Sequence, residues 1–201
     1  MLGLPKSTEL NKQLPKKAIY AKFQMNTAAK DRFDADISRI SIVGEISPRT
    51  VGIAAGESIA SIFVLLVSLK HKDFQVNTIA QISKLIDQNM LLVLDHENQR
   101  KLAIYHTKLI QTDWVPADAC VIELKGLDLD SVWENFITQV GGITIQQGNT
   151  LDEQIAADEQ KAKLEKEIAR LEKLAWAEKQ PKKKFELVQQ IQTAKKGLKN
   201  K

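Results

Sequence analysis

The 201-residue chain reads as an α/β protein: a mixed sheet flanked by helices, followed by a C-terminal helical hairpin. Three observations carry that expectation. Ile62-Phe63-Val64-Leu65-Leu66-Val67 is a continuous apolar run of strand length, the pattern of a central strand covered on both faces. Between it and a second apolar run at residues 90–94 lie Ile79, Ile82, Leu85 and Ile86 at helical spacing, so strand, helix and strand alternate. From Thr150 onward apolar residues thin out, charges crowd in, and no strong helix breaker occurs before Pro181. The expected organisation is a body of residues 1–145 and an arm of residues 150–201, with a glycine- and glutamine-rich boundary at 141–149.

Within the body, Ser7 can cap a short helix that Pro15 ends. Residues 16–23 fit a strand or a helix. Thr27 can cap a helix running through Ala28, Phe33 and Ile37. Ile37, Ile40, Ile42 and Val43 then open a strand that leads to the Ser47-Pro48 turn signal, and Val51 with Ile53 reads as another short strand. Residues 95–100 form a polar turn between residues 90–94 and the alternating Leu102, Ile104 and His106, which together read as a hairpin. Cys120-Val121-Ile122-Glu123-Leu124 reads as one more strand. Ser131-Val132-Trp133-Glu134 has the form of a capping box, followed by the stripe Trp133, Phe136, Ile137 and Val140, with Gly141 as C-cap.

Thr150-Leu151-Asp152-Glu153 is a second capping box. It opens a helix of roughly 29 residues, about 44 Å at 1.5 Å per residue. Ala157, Leu164, Ile168, Leu171 and Ala175 follow heptad-like spacing, and after Pro181 the residues Phe185, Val188, Ile191 and Leu198 give a second stripe. Two helices joined by a short loop fold into an antiparallel hairpin. Leu164, Ile168, Leu171 and Val188 are the expected helix-packing anchors, facing either each other or a helix of another chain.

Composition narrows the function classes. With 43% hydrophobic and 27% charged residues the chain is of the globular type. The single cysteine, Cys120, excludes an internal disulfide and a cysteine-rich zinc site, and reads as a small buried hydrophobe. The longest apolar stretch, residues 61–69, is half of the roughly 18–20 residues that span a bilayer. The N-terminus lacks the apolar core of a signal peptide, so no membrane partner and a cytoplasmic location are expected. The net charge of +4 is unevenly spread. Residues 1–150 are neutral, residues 151–178 carry −3, and residues 179–201 carry +7. Lys182, Lys183, Lys184, Lys195, Lys196 and Lys199 form that basic tail, which suits phosphates or an acidic protein surface.

The most specific catalytic reading concerns Lys70. Restriction-type nucleases place an acid, then acid-x-lysine, on adjacent strands, where the carboxylates hold Mg²⁺ and the lysine assists the attacking water. Lys70 ends the central strand and is followed by a helix and a strand, an order that suits a restriction-endonuclease-like core. Ser68 stands where the second carboxylate belongs, and the upstream acid is Glu45 or Glu57. One carboxylate and a lysine make a poor Mg²⁺ site. Asp34 and Asp36, two apart near a helix end, do not share a face. His71, His96 and His106 lack zinc-ligand spacing, and no nucleophile elbow, Walker loop or dinucleotide fingerprint is present. No metal site and no cofactor is expected, Mg²⁺ entering only under the nuclease alternative.

Residues 33–46, the Ser47-Pro48-Arg49-Thr50 turn, the strand ending in Ser68-Leu69-Lys70 and the hairpin of residues 90–106 together resemble the uncharacterised bacterial and archaeal family catalogued as "domain of unknown function 4391". The resemblance covers about residues 15–142. It implies a setting rather than a reaction, because such proteins tend to be encoded beside DNA methyltransferases and helicase-like proteins in restriction–modification or other phage-defence operons. The expected function is a non-enzymatic accessory subunit docking on a methyltransferase or helicase-like partner. The alternatives are a metal-dependent or degenerate nuclease using Glu45, Glu57 and Lys70, and a nucleic-acid-binding module acting through the basic tail.

Overall fold

The computed structural model describes residues 2–199, and the backbone alone of Lys199. The chain divides into two compact units, Met1–Ile143 and Thr144–Lys201. In chain order the first holds β1 (Glu9–Leu14), α1 (Lys16–Lys22), α2 (Thr27–Asp36), β2 (Ile37–Ile46), α3 (Pro48–Val51), β3 (Ile62–Leu69), α4 (Val76–Ile82), β4 (Asn89–His96), β5 (Gln99–Tyr105), β6 (Leu109–Gln111), β7 (Val115–Pro116) and α5 (Leu129–Gly141). The second holds α6 (Leu151–Ala177) and α7 (Pro181–Lys199). Among the described residues, no helix is long and apolar enough to cross a membrane.

The seven-stranded sheet runs β1-β2-β3-β4-β5-β6, with β7 also paired to β5. Only β3 and β4 are parallel; the other pairs are antiparallel. A parallel pair needs a crossover, and α4 supplies it. Successive residues of β3 point to opposite faces. Leu65, Val67 and Leu69 pack with Leu92, Leu94, Ile40 and Ile42 against Ile19, Phe33, Ile79 and Ile82, so α1, α2 and α4 cover this face. Ile62, Val64, Leu91, Val93, Leu102 and Ile104 are equally buried on the other. Ile110 pairs with Ile104, and a Cβ at Gly141 would lie 3.1 Å from Ile110 Cγ2, which sets α5 on that second face.

Short-range chemistry explains the helix ends. The Asn26 side chain, rather than Thr27, accepts from the Ala29 amide and caps α2. Asp34 in the last turn of α2 ties back to α1, accepting from Lys16 Nζ (2.5 Å) and Tyr20 Oη (2.6 Å). The two hydrogen bonds hold its carboxyl below the usual carboxylate range. Burial first, and then the bond to Asp34, push the Tyr20 phenol up to about 12. Asp128, rather than Ser131, caps α5, accepting from the Ser131 amide at 2.8 Å. Gly142, at φ +59°, ends that helix one residue later than expected.

Four other segments depart from the sequence expectation. Residues after Ser7 do not continue as a helix: Lys6–Thr8 make one 3-10 turn and β1 follows as an edge strand on β2. Its side chains are largely exposed, so it carries no apolar pattern. Val51 lies in the one-turn helix α3, where Thr50 Oγ1 accepts from the Ser47 amide and Gly52 closes the turn at φ +68°; no strand forms there. The turn between β4 and β5 is only Glu97 and Asn98. Cys120-Val121-Ile122-Glu123-Leu124 belongs to no strand. Its backbone bonds instead to Leu2, through the Ile122 amide, and to the Gln139 side chain, which both accepts from and donates to Glu123.

The Lys16–Asp34–Tyr20 tie predicts an acid dependence. A carboxyl held down in the folded state contributes stability above its unfolded pKa, and that stability is lost as pH falls through the depressed folded value. Denaturant midpoints measured from pH 7 to pH 3 are expected to fall on the acid side, and Asp34→Asn to flatten that fall. Equal acid slopes for both proteins would contradict the assignment.

Candidate functional site in the helical arm

Parallel strands β3 and β4 deliver Lys70, His71, Asp95 and His96 to one end of the sheet, beside Asp36, the last residue of α2. Open α/β sheets use this end for ligands. Here the groups serve as ties. Asp36, which is buried, accepts from the Gln75 amide at 3.0 Å, lies 3.5 Å from His71 Nε2, and offers its carbonyl to the Lys70 amide. Arg100 Nε donates to Asp95 at 2.9 Å. Among the described residues no three of His, Cys, Asp and Glu gather as a metal-holding group. Cys120 is buried, and burial pushes its thiol up, away from the reactive thiolate.

The nuclease candidates do not come together. Glu45 pairs with Phe63 near the beginning of β3, and Glu57 lies in the loop ahead of that strand. Lys70 follows its far end, seven residues on, roughly 20 Å at about 3.3 Å per residue. Glu45 has Arg49 beside it at 3.9 Å. The acids near Lys70 are Asp34 and Asp36 instead, and Asp34 is engaged by Lys16 and Tyr20.

In the arm, the Thr150 side chain accepts from the Glu153 amide while Glu153 reaches back to Thr150, closing the capping box. Helix α6 then runs 27 residues, and residues 178–180 form the loop to α7. The two helices close on a core of their own: Ile168, Leu171, Ala175 and Ile191, with Leu187, Ala194 and Leu198 packed against it. Gly197 faces Leu164, where a Cβ would stand 3.9 Å from Leu164 Cδ1. Lys195 Nζ meets Glu172 at 2.7 Å, so its charge is offset in the second half of α6.

The expected anchors therefore separate. Ile168 and Leu171 are spent inside the hairpin, Leu164 is half-buried, and Val188 is 38% exposed. The inward stripe of α7 is Leu187, Ile191, Ala194 and Leu198. Val188 is one residue out of phase, turned about 100° from Leu187. Phe185, 62% exposed, also faces outward. Close to the loop on α6, Trp176 is 89% exposed and Leu174 46%. Trp176 is absent from the sequence candidates, although it sits one residue past Ala175 and so off the buried stripe. Lys182, Lys183, Lys184, Lys195 and Lys196 are exposed, and the Lys199 side chain lies outside the described residues. The outward-facing part of the arm thus combines apolar rings and lysines around one loop.

The model of the family described as "Domain of unknown function (DUF4391)" matches residues 2–198 of the chain, and the chain belongs to that family. The match continues through α6 and α7, so the hairpin lies within the family's domain rather than beside it. Neither the curated proteins nor the solved structures contain a match to the chain.

The burial pattern separates two substitutions that the sequence treats alike. Ile168→Ala is expected to cost about 2–5 kcal/mol locally, read as lost amide protection in α6 and α7 by hydrogen exchange. Val188→Ala is expected to stay within about 0.5 kcal/mol. Equal loss of protection would contradict the phase assigned to α7.

Proposed function

We propose that this member of the family is a non-enzymatic accessory subunit of a restriction–modification-like complex, docking on a DNA methyltransferase or helicase-like partner. One observation carries the reading. The hairpin fills its core with Ile168, Leu171, Ala175 and Ile191, yet keeps Trp176, Phe185 and Val188 in water. An aromatic side chain can bury about 150–250 Å², which at about 25 cal/mol per Å² is roughly 4–6 kcal/mol gross when something covers it. Exposed lysine pairs contribute about 1 kcal/mol or less each. The rings are thus the stronger reason for the arm to engage a surface outside this chain. The body adds a neutral surface, and at the ligand end of its sheet Asp36, Asp95 and Arg100 are taken up as structural ties. The genomic setting that the family resemblance implies supplies the class of partner.

The test is co-purification. The tagged full-length chain, co-expressed with the methyltransferase and helicase-like proteins encoded beside it, is expected to retain at least one of them in near-stoichiometric amount after nuclease treatment and a high-salt wash. Retention of none would reject the reading.

A further inference from the structure

We infer that the loop end of the hairpin binds single-stranded nucleic acid, with Trp176 and Phe185 stacking on bases and Lys179, Lys182, Lys183 and Lys184 holding phosphates. The inference rests on the reading that the arm's contacts lie outside this chain, and it names the occupant of one part of the arm.

Helix α6 ends at Ala177 and α7 begins at Pro181, so three residues join them. Trp176 is the next-to-last residue of α6, and Phe185 stands about 6 Å along α7 from its start. Both rings are more than half exposed. The four lysines between them in sequence are exposed as well. The acids of this stretch are few: Glu178 and Glu186 stand against these lysines and Lys173, leaving residues 173–186 at net +3. Glu178 is in addition half-buried and engaged with the Gln180 amide at 2.8 Å.

The mixture decides between occupants. Lysines alone would serve an acidic protein or a duplex equally well, since they read charge and not sequence. Two outward rings on a polar helix end find no open base face on an undistorted duplex, where stacking on them would first cost unstacking of the bases. An unpaired strand offers both partners at once: phosphates for the ammonium groups and open base faces for the rings. Leu174 and Val188, which also stay exposed on the hairpin, are left for the protein partner.

The experiment titrates the full-length chain with a 20-nucleotide oligo-dT and, separately, with a duplex of the same length. Trp133 is buried and Trp114 partly so, which leaves Trp176 as the principal reporter of quenching. Expected are quenching by the oligonucleotide and clearly weaker binding of the duplex. By anisotropy of a labelled oligonucleotide, Trp176→Ala and Phe185→Ala should each weaken binding by roughly fivefold or more. Neutralising Lys182, Lys183 and Lys184 together to glutamine should lower the slope of log affinity against log salt by about 2. Circular dichroism at 222 nm is expected to be unchanged in all variants, because every substituted side chain is exposed. Absence of binding, equal affinity for the duplex, unchanged affinity in the ring variants, or displacement of the oligonucleotide from Trp176 by poly-glutamate at matched charge and salt would each overturn the inference. Failure here with the methyltransferase or helicase-like partner still retained overturns the inference alone. Oligonucleotide binding without a retained partner supports the inference and rejects the subunit reading.

Discussion

Burial of β3 on both faces is the constraint from which the body follows. From Ile62 to Val67 the strand has no polar side chain, so each face must be covered by other apolar residues. Ile19, Phe33, Ile79 and Ile82 do this on one side, and α5, with Val132, Phe136 and Ile137 buried, does it on the other. The parallel neighbour β4 then requires α4 as its crossover. Polar chemistry is left to the strand ends, where Asp36 and His71 fasten a loop to the sheet and Arg100 of β5 holds Asp95 of β4.

The arm obeys a different balance. Its core is small, and helices of this length owe their stability chiefly to packing. Ile168 and Leu171 are therefore needed within the hairpin and are withdrawn from any partner. What remains for contact is the outward set around the loop, in a chain segment whose charge runs from −3 to +7. Lys195 and Glu172 offset part of that contrast internally. The lysines nearest the loop, Lys182, Lys183 and Lys184, remain exposed.

Much of this was legible from local patterns, and the misses have physical causes. β3, β4, α5 and the start of α6 were readable because apolar period or capping chemistry is written into neighbouring residues. β1 was not: an exposed edge strand has no apolar face, and Glu9–Leu14 become extended through pairing with β2. Cys120 to Leu124 alternate as a strand does, but Gln139 stands where a neighbouring strand would. That Glu45, Glu57 and Lys70 stand apart was not legible, because sequence order does not say which end of a strand a residue serves. Glu45 and Lys70 lie toward opposite ends of β3. In the arm, a one-residue phase difference between Leu187 and Val188 reverses which face is buried, and that phase is set by contact with α6. Trp176 carries no sequence signal for the same reason, since its exposure is a property of the closed hairpin.

The central claim is that the arm closes on itself and holds Trp176 open to water for a contact outside the chain. Acrylamide quenching of a Trp114→Phe, Trp133→Phe variant, in which Trp176 is the sole tryptophan, tests it most directly. The expected result is quenching of the free protein close to that of a fully exposed tryptophan, since Trp176 is 89% exposed. A strongly protected Trp176 in the free protein would contradict the account, because the ring would then already be packed within the chain or against a second copy.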